Sequence, residues 1–317
     1  MASVATPPMG RMVEVAPAPR PSRDTVIPVL EEQGWCLIRG AARSVEEFAD
    51  RVAQLGLPLA TRYGDLPSQT ASGGAAIFAT TPYPPSENLL FHNEAAHMPA
   101  APRTIFFFCL TAAERGGETP LSNGRVALER LAPEIRDALA AKGLSYVRSF
   151  VPGLDVPCQR FFGTDDRAEV ERICAEEGVE AEWHGEDGLE TRFHAGAIAR
   201  HPSHGDVFFH QIALHHPVFL DPEIRDFFES AAGPGRTPRS VRLGTGEPLP
   251  DAWALAVHQA QVDAGTMFRW SPGDMLVVDN RLVAHGRHAF AGARENFVML
   301  GELVPQAQLW IEEGNAT

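Results

Sequence analysis

The sequence predicts a mainly β domain with helical insertions, an antiparallel double-sheet barrel or jelly roll. Three observations lead there. Short apolar segments recur through the middle and end of the chain, at 104–110, 144–150, 207–212, 267–270, 275–278, 282–285 and 297–304. Turn residues separate them, most clearly Ser271-Pro272-Gly273-Asp274 and Gly185-Glu186-Asp187-Gly188. Helical patterns concentrate early and do not alternate with the strands, which argues against a βαβ chain. No glycine-rich phosphate loop of the Rossmann or P-loop type is present.

The elements follow in order. Residues 1–22 are rich in Pro and Ala and read as a flexible N-terminal arm, leaving 23–310 as a single domain. An opening helix starts near Ser22 and stops at Gly34; WCLIRG (35–40) then reads as a strand closed by Gly40. Ser44-Val45-Glu46-Glu47 has capping-box spacing and starts a helix to about Leu55, with Gly56 as its stop. A further helical pattern covers 125–142, interrupted by Pro133 and stopped by Gly143. Another runs from about Asp166 to Glu177, before Gly178.

Composition narrows the function. The 317 residues are 44% apolar with a formal net charge of −14, which repels phosphate backbones and argues against a nucleic-acid partner. Much of the negative charge lies in 165–190 and reads as a solvated face. No apolar run approaches the roughly 20 residues of a membrane-spanning helix, and the first 23 residues lack the apolar core of a signal peptide. Cys36, Cys109, Cys158 and Cys174 show no C-x-x-C spacing and read as reduced thiols of a cytoplasmic protein.

The chemistry is concentrated in a few motifs. FHNEAAH (91–97) follows an apolar run, and side chains at i and i+2 of a strand project to one face. His92 and Glu94 therefore have the spacing to share a metal ion. A third ligand is available in GDMLVVDNRLVAHGRHAF (273–290), where a second strand ends in His285-Gly286-Arg287, with Arg294 nine residues beyond His285. Two imidazoles and a carboxylate on one side of an ion suit non-haem Fe(II), and a nearby arginine would clamp a dicarboxylate. His97 reads as a surface histidine. The crowding of His210, His215 and His216 has no strand or helix logic for a second metal site. His210 and Gln211 read as substrate-pocket residues.

HNE (92–94), GGETP (116–120), GD-x-L-x-x-DN (273–280) and AHGR-x-x-F-x-G-x-R (284–294) occur in this order and together resemble the TauD/TfdA family of Fe(II)/2-oxoglutarate-dependent dioxygenases. The likeness extends over about 39–304. It is greatest to the amino-acid-oxidising branch that includes SyrP-like hydroxylases, clavaminate synthase and asparagine oxygenase. The resemblance implies a double-stranded β-helix with His92, Glu94 and His285 as iron ligands. It also implies Arg294 and Thr119 as partners of the distal carboxylate of the cosubstrate 2-oxoglutarate, with O2 as oxidant. Glu94 stands where the better-known branch has Asp, as in the amino-acid-acting branch, and it fills the position that halogenating relatives leave to chloride. Glu295 stands where many relatives carry a second basic residue, so Arg287 remains the alternative clamp. The implied substrate is an amino acid or a derivative, free or tethered to a carrier protein. Arg148 in SYVRSF and Arg160 are the candidate partners of its carboxylate. A zinc hydrolase, a non-catalytic jelly-roll binding protein and a catabolic sulfonate or small-carboxylate dioxygenase are the competing readings.

Overall fold

The computed structural model describes residues 11–12, 22–62, 68–70, 74–80, 83–151, 156–185, 188–232 and 237–311. Most of the expected N-terminal arm lies outside these. Within it, Arg11–Met12 pairs in parallel with Gly265–Met267.

The early helices form where their end signals stand. Ser22 precedes Arg23–Gln33, and Gly34 ends it at φ 83° while donating to the Leu30 carbonyl. The Ser44 hydroxyl accepts from the Glu47 amide, and the Glu47 carboxylate accepts from the Arg43 amide, so Val45–Gln54 begins with two orphan donors satisfied. Pro133 lacks an amide hydrogen and divides the next pattern into Gly124–Arg130 and Pro133–Lys142. The acidic segment forms Arg167–Glu176.

Two sheets carry the core. In the major sheet the order is Trp35–Ile38, Met275–Asp279, Thr104–Thr111, Glu295–Leu300, Ala76–Ala79 and Ser68–Thr70, every neighbouring pair antiparallel. Residues of opposite parity face opposite ways. Phe106, Phe108, Met275, Val277 and Met299 pack on Val26, Leu30, Phe48 and Val52 of the first two helices, with Phe48 and Phe108 stacked 5.1 Å apart. Ile105, Phe107, Leu276, Val278 and Leu300 pack the other way, against Leu121, Phe268, Leu282 and Val283. Burial on both faces explains why TIFFFCL and MLVV read as continuous apolar runs.

The minor sheet runs Arg11–Met12, Gly265–Met267, Leu121–Asn123, Val283–Arg287 and Leu89–His92. These two sheets, face to face, form the expected jelly roll with helical insertions. A further four-stranded sheet, Val179–His184, Gly188–Ala195, Leu144–Phe150 and Arg239–Leu243, packs Leu144, Tyr146, Val241 and Leu243 with Leu128, Leu139 and Val257 of the helices.

One expectation is corrected. Helices are not confined to the early chain: Pro222–Ala232 and Asp251–Asp263 lie in the second half. The latter buries Ala254, Val257, Ala260 and Gln261, a stripe at helical spacing made of small or polar residues, while the larger Leu255 stays 47% exposed. An apolar pattern with its bulk on the wrong face hides a helix from periodicity. All four cysteines are buried and free, and burial pushes the Cys36 and Cys109 thiols up to about 11. No described helix is long and apolar enough to cross a membrane.

Candidate metal centre

Register brings the proposed ligands together. His285 on Val283–Arg287 pairs directly with His92, the last residue of Leu89–His92, so both side chains leave the same face. Their rings lie 4.3 Å apart, and each Nε2 is 3.9 Å from the same oxygen of Glu94. One nitrogen from each histidine and one carboxylate oxygen fall within 4.8 Å of one another, close enough to share an ion about 2 Å from each. The His92 Nδ1 lies 2.9 Å from the Leu90 carbonyl. Protonation there makes Nδ1 the donor and leaves Nε2 with its lone pair toward Glu94. Burial, then the neighbouring His92, hold the His285 pKa well below the ordinary histidine value, so the ring is the neutral, ligating form. Two imidazoles and one carboxylate fit a divalent ion.

Glu94 follows the strand rather than extending it, and its backbone is held from outside. Asn280, fully buried, accepts from the Glu94 amide at 2.7 Å and donates to the Glu94 carbonyl at 3.0 Å and the Pro102 carbonyl at 2.9 Å. The Asn93 side chain donates to the Asn280 carbonyl and accepts from the His210 amide. Ala95 then turns away at φ 58°, the one non-glycine residue in that region among the described residues. Such a conformation costs on the order of 1 kcal/mol and is kept only when the surroundings impose it. The adjoining Asp279 is locked by Arg281 and by His201 at 3.3 Å. Burial opposes its ionisation, but these partners prevail and lower its pKa to about 2. Asn280 and Asn93 carried no role in the sequence reading beyond the DN and HNE motifs they belong to.

The triad opens into a cleft of about 730 Å³, its mouth included, whose other lining residues include Phe78, Thr80, Phe107, Thr119, Arg294 and Val298. Thr119 is buried, and its hydroxyl accepts from the Trp270 indole at 3.0 Å. Burial, with Arg287 nearby, lowers the Arg294 guanidinium to about 10. No described carboxylate forms an ion pair with Arg294; Asn296 and the Phe290 ring are its neighbours. A half-buried cation so placed beside a metal triad suits an anionic ligand. The glycines of GGETP make the close approach possible. Gly117 has φ 76°, and a Cβ there would lie 3.2 Å from the Arg294 Cδ.

The alternative clamp is occupied. Arg287 donates to the carbonyls of Tyr83, Pro84 and Glu87 and stacks near Tyr83 and Phe290. His210 and Gln211 stand outside the cleft lining, behind the metal loop. The Gln211 side chain donates to the Asn93 carbonyl, and burial lowers the His210 pKa to about 3. Arg160 is exposed on Cys158–Phe162, while Arg148 is half-buried, its guanidinium 4.5 Å from the Phe150 ring and 4.3 Å from the Phe161 ring. His97 is not the surface residue expected. It is half-buried, its Nδ1 is sealed without a partner, and its ring lies 4.8 Å from His215. In a second cluster, Glu182, His184 and Glu190, both carboxylates pair with Arg192.

A family model described as taurine catabolism dioxygenase TauD, TfdA family, matches residues 11–301. The dapdiamide synthesis protein DdaC of Enterobacter agglomerans is 31% identical over 283 residues, covering 88% of this chain and 86% of its own. A clavaminate synthase-like protein of Arabidopsis thaliana is 27% identical, covering 83% of this chain and 79% of its own. Among solved structures, asparagine oxygenase in complex with Fe(II), 3-hydroxyasparagine and succinate superposes with a TM-score of 0.51 at 15% identity, covering 88% of this chain and 78% of its own. PvcB, an Fe, alpha-ketoglutarate dependent oxygenase from an isonitrile synthetic pathway, superposes with a TM-score of 0.50 at 14% identity, covering 88% and 80%. The chain belongs to the TauD/TfdA family of dioxygenases.

Proposed function

We propose that this dioxygenase uses Fe(II), 2-oxoglutarate and O2 to hydroxylate or desaturate an amino acid or amino-acid-derived substrate in natural-product biosynthesis. The substrate is a small molecule, free or tethered to a carrier protein, and the setting is the cytoplasm. The observation that carries the reading is one cleft lined by His92, Glu94 and His285 together with Thr119 and Arg294. Neither a zinc hydrolase nor a binding jelly roll needs Arg294 and Thr119 together with the triad. The names of the relatives, a dapdiamide synthesis protein and an asparagine oxygenase, support the amino-acid class.

In this reading His92, Glu94 and His285 would hold the iron, and the cleft they line would be left to the other reactants. Bound there with 2-oxoglutarate and O2, the iron supplies the oxidising power for C–H cleavage, with succinate and CO2 as co-products. Arg294 binds the far carboxylate of 2-oxoglutarate through its planar donor edge, and the Thr119 hydroxyl, already accepting from Trp270, turns its own hydrogen toward the same group. Phe78, Phe107 and Val298 keep water from the reacting carbon. Asn280 holds Glu94 in position by both backbone groups.

The test is anaerobic addition of Fe(II) and 2-oxoglutarate to metal-free protein. The expected result is the weak visible charge-transfer band of the chelate, followed by substrate-dependent succinate release with amino acids or aminoacyl thioesters. Tight zinc binding with no band from iron overturns the oxygenase reading. Turnover confined to sulfonates, aryloxy acids or sulfate esters overturns the amino-acid class.

A further inference from the structure

Strand register lays an apolar floor beside the triad. Val298 pairs directly with Phe78 on one side and with Phe107 on the other, so the three side chains leave one face of the major sheet in a single row. Leu300, two residues beyond Val298, adds to the same face. All four line the cleft. The Phe107 ring lies 5.1 Å from the His285 ring, so the row reaches the metal ligands themselves. Phe78, Phe107 and Leu300 are buried, whereas Val298 is half-buried and is the part of the row most open to a ligand. Leu89 lines the cleft from the minor sheet.

The charged groups of the cleft already have tasks. In the reading above, His92, Glu94 and His285 serve the metal, and Arg294 with Thr119 serves 2-oxoglutarate. Arg287 gives both Nη2 hydrogens to the Pro84 and Glu87 carbonyls and one Nη1 hydrogen to Tyr83, and its Nε is sealed in protein. Little of its donor edge is left for a ligand. Among the described lining residues no other charged side chain remains, and Thr80 is the one hydroxyl besides Thr119. A further ammonium or carboxylate on this floor would lose its hydration without gaining a partner of opposite sign. At about 730 Å³, mouth included, the cleft falls within the roughly 300–1,000 Å³ of sites for drug-sized ligands, so room remains beside 2-oxoglutarate.

We infer that the substrate presents an uncharged hydrocarbon group, the side chain of an aliphatic or aromatic amino acid, to the Phe78–Val298–Phe107 floor, and that Val298 sets how large that group is. The inference rests on the oxygenase reading above and names its substrate class. The amino and carboxyl groups, or the thioester of a tethered acid, stay toward the mouth, where water solvates them. The oxidised carbon therefore belongs to the side chain, the part that the floor carries to the metal. Apolar pockets discriminate by about 10- to 200-fold per methylene, so a change of volume at Val298 re-ranks side chains by size.

The experiment uses the full chain loaded anaerobically with Fe(II) and 2-oxoglutarate. Valine, leucine, methionine and phenylalanine form a size series; aspartate, asparagine, glutamate and lysine form the polar set. Each is offered free and as its pantetheine thioester. Affinity is read from the shift of the chelate band, and oxidation from succinate release and product mass in air. The expected result is that the best hydrocarbon member binds at least tenfold tighter than any polar one and is oxidised in its side chain. Val298→Ala should move the optimum to a larger side chain and Val298→Phe to a smaller one, each by about tenfold in relative affinity. Val298→Ala only removes atoms, so it decides the point if Val298→Phe does not fold. The inference is overturned if a polar member binds best, if no hydrocarbon member shifts the band, or if neither variant changes the order of the size series. Loss of the band in Val298→Ala assigns the floor to 2-oxoglutarate and overturns it as well. Absence of the band in the unmodified protein sinks the oxygenase reading instead.

Discussion

Replacing Asn280 with Ala should separate the stability of the metal loop from its affinity for iron. The side chain is fully buried and makes three hydrogen bonds, two to the backbone of Glu94 and one to the Pro102 carbonyl. Each such bond contributes about 1 kcal/mol, and a buried amide left without a partner costs about 1–3 kcal/mol. The Glu94 amide and carbonyl lose these partners together, so the metal-free protein should lose about 3–5 kcal/mol, read by urea unfolding. The second consequence is specific to the site. Ala95 stays at φ 58° only while its neighbours impose it, and without Asn280 the Glu94 carboxylate is free to leave its position 3.9 Å from each imidazole. Groups that orient a ligand in this way are worth about 10- to 100-fold in metal affinity. Fe(II) or Co(II) titration of the folded variant at low temperature should therefore show a loss in that range. Full loss of stability with unchanged metal affinity would refute the argument that Asn280 positions Glu94.

Three further outcomes follow from the same geometry. His285→Ala should abolish Fe(II) binding and turnover yet lower metal-free stability by only about 2 kcal/mol, because its Nδ1 already lacks a partner; retained activity removes His285 from the site. Arg294→Ala should weaken 2-oxoglutarate by on the order of a hundredfold, about 3 kcal/mol, whereas Arg287→Ala should destabilise the fold through three lost carbonyl bonds and change that affinity less than tenfold. Reversed results would move the clamp to Arg287. Burial lowers His210 and His215 to about 3, below an unfolded value near 6.5, so their stabilisation is fully present above pH 6.5 and lost as pH falls toward 3. The two together predict a loss approaching about 2.7 kcal/mol per pH unit from just below pH 6. A urea midpoint constant from pH 7 to pH 5 contradicts it.

Some of this protein was determined locally. Ser44, Glu47 and Gly34 set helix ends through hydrogen bonds within four residues, and Pro133 does so by lacking an amide hydrogen, so those ends stand where the sequence puts them. The two ligand segments were legible because an H-x-E tripeptide closes an apolar strand and a turn isolates the strand bearing His285, although Glu94 lies in the turn after Leu89–His92, where the strand period does not place it. The helix Asp251–Asp263 was not, because its buried stripe is Ala254, Val257, Ala260 and Gln261 and its bulkiest residues face elsewhere. Other features were decided only by tertiary structure. The bonds that occupy Arg287 come from the carbonyls of Tyr83, Pro84 and Glu87, some 200 positions earlier in the chain. The hold of Asn280 on Glu94 spans 186 positions, and the alignment of Phe78, Val298 and Phe107 depends on strand register. Hydrogen bonds and charge pairs act over a few ångströms of space. Sequence spacing records them when the partners are neighbours in the chain, and the fold alone determines them when they are not.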